Sequence, residues 1–317
     1  MTRRQFLYNA GTLAGASATA GGARAGQSIA APPNSAPPPV GYVVYGRDHL
    51  DVVEQIAALR RDRFSAVGFH TAPSLAPSRA FDPFSASSDS VERLRCALSG
   101  FKKVEVHGPF SDWDISLVSP NLAVTDASLH ELERHIQFAK SVGASVFTTR
   151  PGTTAAPISP ESQLGRLRDS LERLAEIGRA NGLLICVETA DILVNAPNLR
   201  VFDGINSDYL GITLDTGHVS LHAAGITPGY APYRSIEECI AALGRHIRHV
   251  HLNDYNSKRD HIGIGQGELP LKGVLAALHR GGYQGFFDME VDPTLVPAEN
   301  MPAQRKLVEG LLAEVWN

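Results

Sequence analysis

Eight short β-rich runs, separated by stretches of helical character, are the feature that most constrains how this chain can fold. The runs are "VGYVVYG" (40 to 46), "SAVGFH" (65 to 70), "KVEVHG" (103 to 108), "SVFTTR" (145 to 150), "LLICVET" (183 to 189), "GITLD" (211 to 215), "IRHVHLND" (247 to 254) and "GFFDMEV" (285 to 291). Several are apolar nearly throughout, which is typical of strands covered on both faces. The alternation predicts an α/β domain built around a parallel sheet.

The intervening stretches have recognisable helix ends. One begins with Ser159 as the N-cap and Pro160 at the first helical position, and it ends near Gly182. A second runs over residues 125 to 144 and ends near Gly143. Eight strands alternating with helices in about 275 residues predict a (β/α)8 TIM barrel, with a doubly wound open sheet as the alternative.

The N-terminus has the composition of a targeting segment. Residues 1–25 hold the pair Arg3-Arg4, a mildly apolar Gly/Ala-rich stretch and the small-residue cleavage pattern "ARA". The opening "TRRQFL" resembles a twin-arginine export motif, although a frayed tail with two arginines is the alternative. We therefore predict a cleavable signal peptide over 1–25, a Pro-rich linker over 26–39 and a barrel catalytic domain over 40–317. The twin-arginine machinery would be a partner, and the mature protein would be periplasmic or otherwise extracytoplasmic.

Charge and cysteine content exclude several classes of function. Removal of residues 1–25 takes away three arginines and no acidic residue, so the formal charge falls from −4 to −7. Such a chain is poorly suited to nucleic acid, whose phosphates require clustered Lys and Arg. No apolar run is long enough for stable membrane insertion. Cys96, Cys186 and Cys239 are too few and too scattered for a disulfide framework, and we interpret all three as small apolar packing residues.

Four coordinating side chains come at or near the ends of four successive predicted strands. Glu188 ends the fifth run, Asp215 ends the sixth, His251 lies in the seventh and Glu290 in the eighth. Catalytic groups of a TIM barrel lie at this end of the strands. Three carboxylates in one barrel mouth would repel one another unless a divalent cation neutralised them. Taken singly, each residue also has an ordinary structural explanation: a solvated strand end, a helix cap or a buried core histidine.

Other polar residues surround this set. His107 ends the third run, His218 follows Asp215 by three positions, and His261 lies in the loop after the seventh run, directly after Asp260. His218 and His261 are candidates either for metal ligation or for contact with a substrate.

The ordered motifs "VETA", "LDTGHV", "HLND", "HIGIGQGEL" and "DMEVD" resemble those of the xylose isomerase-like TIM-barrel superfamily. This superfamily holds sugar isomerases and epimerases as well as apurinic endonucleases. The resemblance covers about residues 40 to 316. It implies that Glu188, Asp215, His251 and Glu290 hold a catalytic divalent ion, and that His218 contacts the substrate or a further metal.

The endonuclease branch fits less well. Its zinc cluster uses extra histidines, and His107, His218 and His261 stand in such positions. However, Arg150 precedes Pro151-Gly152 where that branch has a histidine, and Asp260 directly precedes His261 instead of lying two residues before it. A cation in place of a ligand should repel a second zinc.

The isomerase branch implies a mechanism. The ion chelates a sugar carbonyl and a neighbouring hydroxyl, and it stabilises the enediolate formed when the adjacent carbon loses its proton. Glu188 and Glu290 transfer protons on opposite faces of the substrate. The other groups assigned to substrate binding include His107, His218 and His261. Of these, His218 hydrogen-bonds a substrate oxygen.

Arg150 would hold a hydroxyl or carboxylate, with a rim salt bridge as its alternative. Trp113 would stack on the sugar, with loop packing as its alternative.

The carboxylate-rich donor set favours Mn²⁺, with Mg²⁺, Co²⁺ or Zn²⁺ as alternatives. A keto-sugar lyase or dehydratase would use the same four ligands. An endonuclease-like metal phosphodiesterase and a non-catalytic periplasmic carbohydrate-binding barrel stay open as further alternatives, as does a homodimer.

Overall fold

A computed structural model gives the fold of the chain. It describes residues 36–46, 49–71, 80–109, 115–153, 157–194, 196–223 and 235–316. The predicted signal peptide, residues 26–35 of the linker, and Trp113 lie outside these residues.

Eight parallel strands close into a barrel in which each strand pairs with its neighbour in sequence and β1 pairs with β8. The strands are β1 (Val40–Val44), β2 (Ala66–His70), β3 (Lys103–His107), β4 (Val146–Thr149), β5 (Leu184–Glu188), β6 (Leu210–Asp215), β7 (Ile247–Leu252) and β8 (Phe287–Met289). All eight predicted runs contain a strand. The predicted TIM barrel is confirmed, and the open-sheet alternative is wrong because the sheet closes.

Helices cover the outside of the barrel. They are α1 (His49–Arg61), α2 (Ser88–Leu98), α3 (Leu122–Ser141), α4 (Pro160–Asn181), α5 (Ala196–Leu199), α6 (Thr216–Ala223), α7 (Ile236–Leu243), α8 (Leu271–Arg280) and α9 (Met301–Trp316). The α4 ends are those predicted: the Ser159 hydroxyl accepts from the Ser162 amide, and Gly182 adopts φ 60° in a left-handed C-cap. By contrast, α3 starts three residues earlier than predicted because Asn121 caps it, its side chain accepting from the Ala123 amide.

The core lies between these helices and the outer face of the barrel, where strand residues such as Val187, Ile212 and Val250 are fully buried. Cys186 and Cys239 are buried, as predicted, but Cys96 is exposed on α2, so the prediction that it packs internally is wrong. Among the described residues, no helix combines the length and apolarity needed to cross a membrane.

Alternate residues of each strand point into the barrel, which arranges the inward side chains in layers. The polar layer at the carboxyl ends of the strands contains the residues predicted as metal ligands. The next layer lies one pleat deeper: Glu105 and His249 precede His107 and His251 by two residues, and Asp288 precedes Glu290, which directly follows β8, by two residues.

Candidate metal centre

The four predicted ligands converge at the carboxyl end of the barrel. Glu188, Asp215, His251 and Glu290 each offer one donor atom, and these atoms all lie within 4.8 Å of one another. All four residues are buried, with exposed fractions of 0 to 3%. The strands place them together because β5 to β8 are consecutive neighbours and because each residue occupies an inward position at its strand end.

His251 lies between the two glutamates. Its Nδ1 is 2.8 Å from Glu290 Oε2 and 3.3 Å from Glu188 Oε1. Burial alone would lower the pKa of His251, but Glu105, Glu290 and Glu188 together hold it well above its usual value. In the absence of an ion, an imidazolium here balances part of the carboxylate charge.

Glu188 also contacts a permanent cation. Arg150 Nε donates to Glu188 Oε2 across 2.6 Å, and His107 Nε2 lies 3.6 Å from the same oxygen. Burial raises the pKa of Glu188, but Arg150, His107 and His251 outweigh this effect and hold the pKa well below its usual range. Arg150, predicted as a substrate-binding residue, is therefore placed in a salt bridge to Glu188.

Glu290 is held by two residues that the sequence predictions missed. The Tyr45 hydroxyl donates to Glu290 Oε1 across 2.6 Å, and His70 Nε2 lies 3.3 Å from the same atom. Burial raises the pKa of Glu290, but His251, His261 and His70 outweigh this effect and hold the pKa well below its usual value. Tyr45 lies near the end of the first run, directly after β1, and His70 ends the second run, so their positions at strand ends were the available signal.

Asp215 is fixed by its surroundings on two sides. Its Oδ2 accepts from Asn253 Nδ2 at 3.0 Å, and its Oδ1 accepts from the His218 amide at 2.8 Å. This second bond places Asp215 at the N-terminal turn of α6, where a carboxylate is favoured.

A second group of potential ligands adjoins the first. Asp215, His218 and His261 also offer donor atoms within 4.8 Å of one another. His261 Nε2 is 3.7 Å from both Asp215 Oδ2 and Glu290 Oε2, and its Nδ1 is 3.0 Å from Asp260 Oδ1. The three additional histidines predicted from the sequence thus all lie beside the four-residue group, with His107 on the Glu188 side.

The loop after β7 is organised by Asp254. Its two carboxylate oxygens accept from the amides of Tyr255, Gly265, Gly267 and Leu269. This network fixes the glycine-rich segment "GIGQG" and leaves His261 facing the metal-ligand candidates. A cavity of about 230 Å³ opens at this mouth, lined by Tyr45, Arg259, Asp260, His261, Asp292 and Pro293.

The residues at the mouth fit a divalent cation, although charge alone does not require one. Arg150 and protonated histidine rings such as that of His251 already face the three carboxylates. Repulsion between the carboxylates therefore does not by itself require a bound cation. The fit comes from the donors themselves: three carboxylates and one imidazole converge, and His218 Nδ1 is buried without a hydrogen bond among the described residues.

Comparisons with known proteins agree with this architecture. Residues 56–311 match the family model described as "Xylose isomerase-like TIM barrel". The chain belongs to the xylose isomerase-like TIM-barrel family. Its closed barrel, with polar side chains at the carboxyl ends of the strands, agrees with the family resemblance found in the sequence motifs.

The proteins similar to this xylose isomerase-like barrel include an uncharacterised relative and proteins of known structure. The uncharacterised protein MJ1188 of Methanocaldococcus jannaschii is 22% identical over 219 residues, or 63% of this chain and 75% of that protein. The D-psicose 3-epimerase of Clostridium cellulolyticum H10 has a TM-score of 0.68 at 16% identity and covers 86% of this chain and 99% of its own. The 3-keto-D-glucoside 4-epimerase YcjR of E. coli has a TM-score of 0.63 at 14% identity, covering 84% and 98%. At these identities the structural likeness concerns the fold.

Proposed function

We propose that this protein is a divalent-metal-dependent sugar isomerase or epimerase. The observation that carries the proposal is the placement of two buried glutamates, Glu188 on β5 and Glu290 just after β8, each with an oxygen within 3.3 Å of Nδ1 of His251. The epimerase activities named for structural neighbours support the same class of substrate. Glu188, Asp215, His251 and Glu290 would hold the ion, and their hard oxygen donors favour Mn²⁺ or Mg²⁺.

A bound divalent cation would supply Lewis-acid polarisation of a substrate carbonyl, which makes the neighbouring C–H more acidic. The chain's own residues then determine the stereochemistry. Glu188 and Glu290 project from strands on different sides of the barrel, so each reaches a different face of a substrate carbon. One glutamate removes the proton from one face, and the other, after taking a proton from solvent, returns it to the opposite face, which inverts the configuration; the first glutamate then releases its proton to solvent.

Neighbouring residues set the protonation of the two glutamates. Arg150 keeps Glu188 ionised, and the Tyr45 hydroxyl donates to Oε1 of Glu290, while Oε2 of Glu290 faces His251 Nδ1. His218 and His261 line the same mouth and would donate to substrate hydroxyls. Tyr45, Arg259 and Asp292 line the adjoining cavity with further groups suited to hydroxyl recognition.

The test is solvent deuterium exchange into a panel of ketoses and keto-glycosides, with Glu188→Gln and Glu290→Gln compared with the wild type. A glutamine still offers a weak oxygen ligand but cannot accept a proton near neutral pH. We expect both variants to retain metal at high metal concentration and to lose epimerisation. One variant should still exchange the proton of the substrate, and the other that of the product epimer. Near wild-type turnover by both variants, with metal bound, would reject the two-carboxylate mechanism.

A metal-dependent phosphodiesterase is the second candidate. The adjoining group of Asp215, His218 and His261 favours it, because a second ion there would give a multinuclear centre. The Arg150–Glu188 ion pair argues against it, since a fixed cation beside Glu188 repels an additional metal. Metal analysis separates the candidates: one ion per chain supports the isomerase, and two or three support the phosphodiesterase.

We further propose export by the twin-arginine machinery, supported by the sequence of residues 1–25. A fusion of this segment to a folded reporter should reach the periplasm. An Arg3→Lys, Arg4→Lys double change should abolish that export, and export that survives it would count against the proposal.

A further inference from the structure

A layer of ionisable side chains lies directly beneath the proposed metal ligands. It consists of Glu105 on β3, His249 on β7 and Asp288 on β8, which are fully buried and precede His107, His251 and Glu290 by two residues each. The mechanism proposed above uses none of the three. Buried groups of this kind are costly unless they have a structural or functional role.

Glu105 is the member of this layer that touches a proposed ligand most closely. His251 Nε2 lies 2.7 Å from Glu105 Oε1, whereas Nδ1 of the same ring faces Glu188 and Glu290. One ring nitrogen therefore points down into the barrel and the other points to the mouth. A neutral imidazole carries its proton on only one nitrogen, and a carboxylate partner selects the nitrogen that donates.

The fold leaves space for this contact. A Cβ at Gly68 on β2 would lie 2.6 Å from Glu105 Oε2, so a larger residue there would push the carboxylate away. On the other side, His249 Nε2 is 3.3 Å from Glu105 Oε2. The Glu105 carboxylate is thus confined between β2 and β7 with its Oε1 directed at His251.

We propose that Glu105 is a positioning residue that holds His251 in the Nε2–H tautomer and presents Nδ1 to the metal. This inference rests on the proposed function, because it assigns a role in preparing the metal centre. Hydrogen-bond partners of this kind fix the ring orientation of metal-binding histidines and increase their basicity. Glu105 itself never contacts the substrate or the ion.

The experiment compares Glu105→Gln and Glu105→Leu with the wild type in the full-length protein. Mn²⁺ affinity is measured by calorimetric titration, and the hydrogen-bonded Nε2–H of His251 is measured by ¹H–¹⁵N NMR of metal-free, histidine-labelled protein. Asp288→Asn is the control, since it changes a buried carboxyl group of the same layer that makes no hydrogen bond to His251. Thermal unfolding followed by circular dichroism shows whether each variant folds.

We expect Glu105→Leu to weaken Mn²⁺ binding by about 10- to 100-fold and to lose the signal of the hydrogen-bonded Nε2–H. Glu105→Gln, which retains an acceptor oxygen, should keep this signal and lose about 10-fold or less in affinity. Asp288→Asn should bind Mn²⁺ within about twofold of the wild type. If Glu105→Leu does not fold, the ratio of the Glu105→Gln affinity to the control affinity decides.

Wild-type affinity and an unchanged Nε2–H signal in the Glu105 variants would overturn the positioning role. A wild type that binds no divalent ion would instead reject the proposed function. In that case the Nε2–H signal of the metal-free variants still decides whether Glu105 orients His251.

Discussion

At the residue scale, the ion pair between Arg150 and Glu188 governs the charge of the metal-free site. Arg150 Nε lies 2.6 Å from Oε2 of Glu188, whose side chain has no exposed surface, and the Arg150 side chain is only 24% exposed. Removing one partner of a buried pair leaves the other charge uncompensated. Arg150 therefore stabilises the empty site, and it opposes the arrival of a second positive charge.

The prediction for Arg150→Met follows from these two effects. The metal-free variant should lose about 3 kcal/mol of unfolding free energy, the low end of the cost of breaking a buried pair because Arg150 is partly exposed, whereas its Mn²⁺ affinity should rise by about tenfold because a like charge has been removed. Denaturant unfolding with and without Mn²⁺, together with titration calorimetry, measures both. Arg173→Met is the control, since Arg173 pairs with Asp126 at the exposed surface. Weaker Mn²⁺ binding by Arg150→Met would show that the arginine organises the ligands.

A second residue-scale prediction concerns His135 on α3, far from the ligands in sequence and fully buried. Its Nδ1 lies 2.8 Å from the Thr71 hydroxyl, and burial lowers its pKa to about 4. The unfolded chain takes up this proton below about pH 6.5 and the folded chain only near pH 4, so the free energy of unfolding decreases as the pH falls through this window.

His135→Asn keeps a group that can bond to Thr71 and removes the titration. The wild type's stability advantage over this variant should shrink by about 2 kcal/mol between pH 7 and pH 4.5. Urea unfolding at the two pH values measures the difference. Parallel pH dependences of the two proteins would mean that His135 does not titrate as described.

At the element scale, pairs of inward polar residues separated by one position distinguish the strands of the site. The segments "EVH" on β3, "HVH" on β7 and "DME" at β8 each place one residue in the mouth and one in the layer below. The strand ends were predictable because apolar runs and their polar termini are local features. The lower layer follows from period-two alternation, and it was missed because the sequence reasoning considered only strand ends.

Glycines on β1 and β2 make room for this layer, and nothing local in the sequence indicates that role. A Cβ at Gly41 would clash with Asp288 Oδ1 and lie 2.6 Å from the backbone carbon of Ala66. Backbone on the neighbouring strand cannot move aside as a side chain can. The requirement arises only when β8, β1 and β2 close against one another, which is a tertiary property.

We predict that Gly41→Ala lowers the free energy of unfolding by about 3 kcal/mol, at the upper end of typical overpacking costs. Gly165→Ala is the matched control: Gly165 lies inside α4 with nothing within 4 Å of an added Cβ. Because glycine destabilises helix interiors, this control should gain about 0.5 to 1 kcal/mol. Chemical denaturation of both variants provides the values. Equal stability of Gly41→Ala and the wild type would show that the barrel relaxes at this position.

At the scale of the whole molecule, barrel closure brings together residues that are distant in sequence. Tyr45 and His70 meet Glu290 only because β1 and β8 are paired, and β2 follows β1. The fold class was predictable because eight strand–helix alternations allow few other topologies. The pairing of Arg150 with Glu188 was not, since sequence cannot decide whether an arginine at a strand end faces the substrate or a neighbouring carboxylate.

Crystals of the protein grown with Mn²⁺ and measured on both sides of the manganese absorption edge test the central claim most directly. The account predicts one anomalous peak per chain, bonded to Glu188, Asp215, Glu290 and Nδ1 of His251 at about 2.0 to 2.3 Å. No peak at this mouth, or a sole peak among Asp215, His218 and His261, would contradict it.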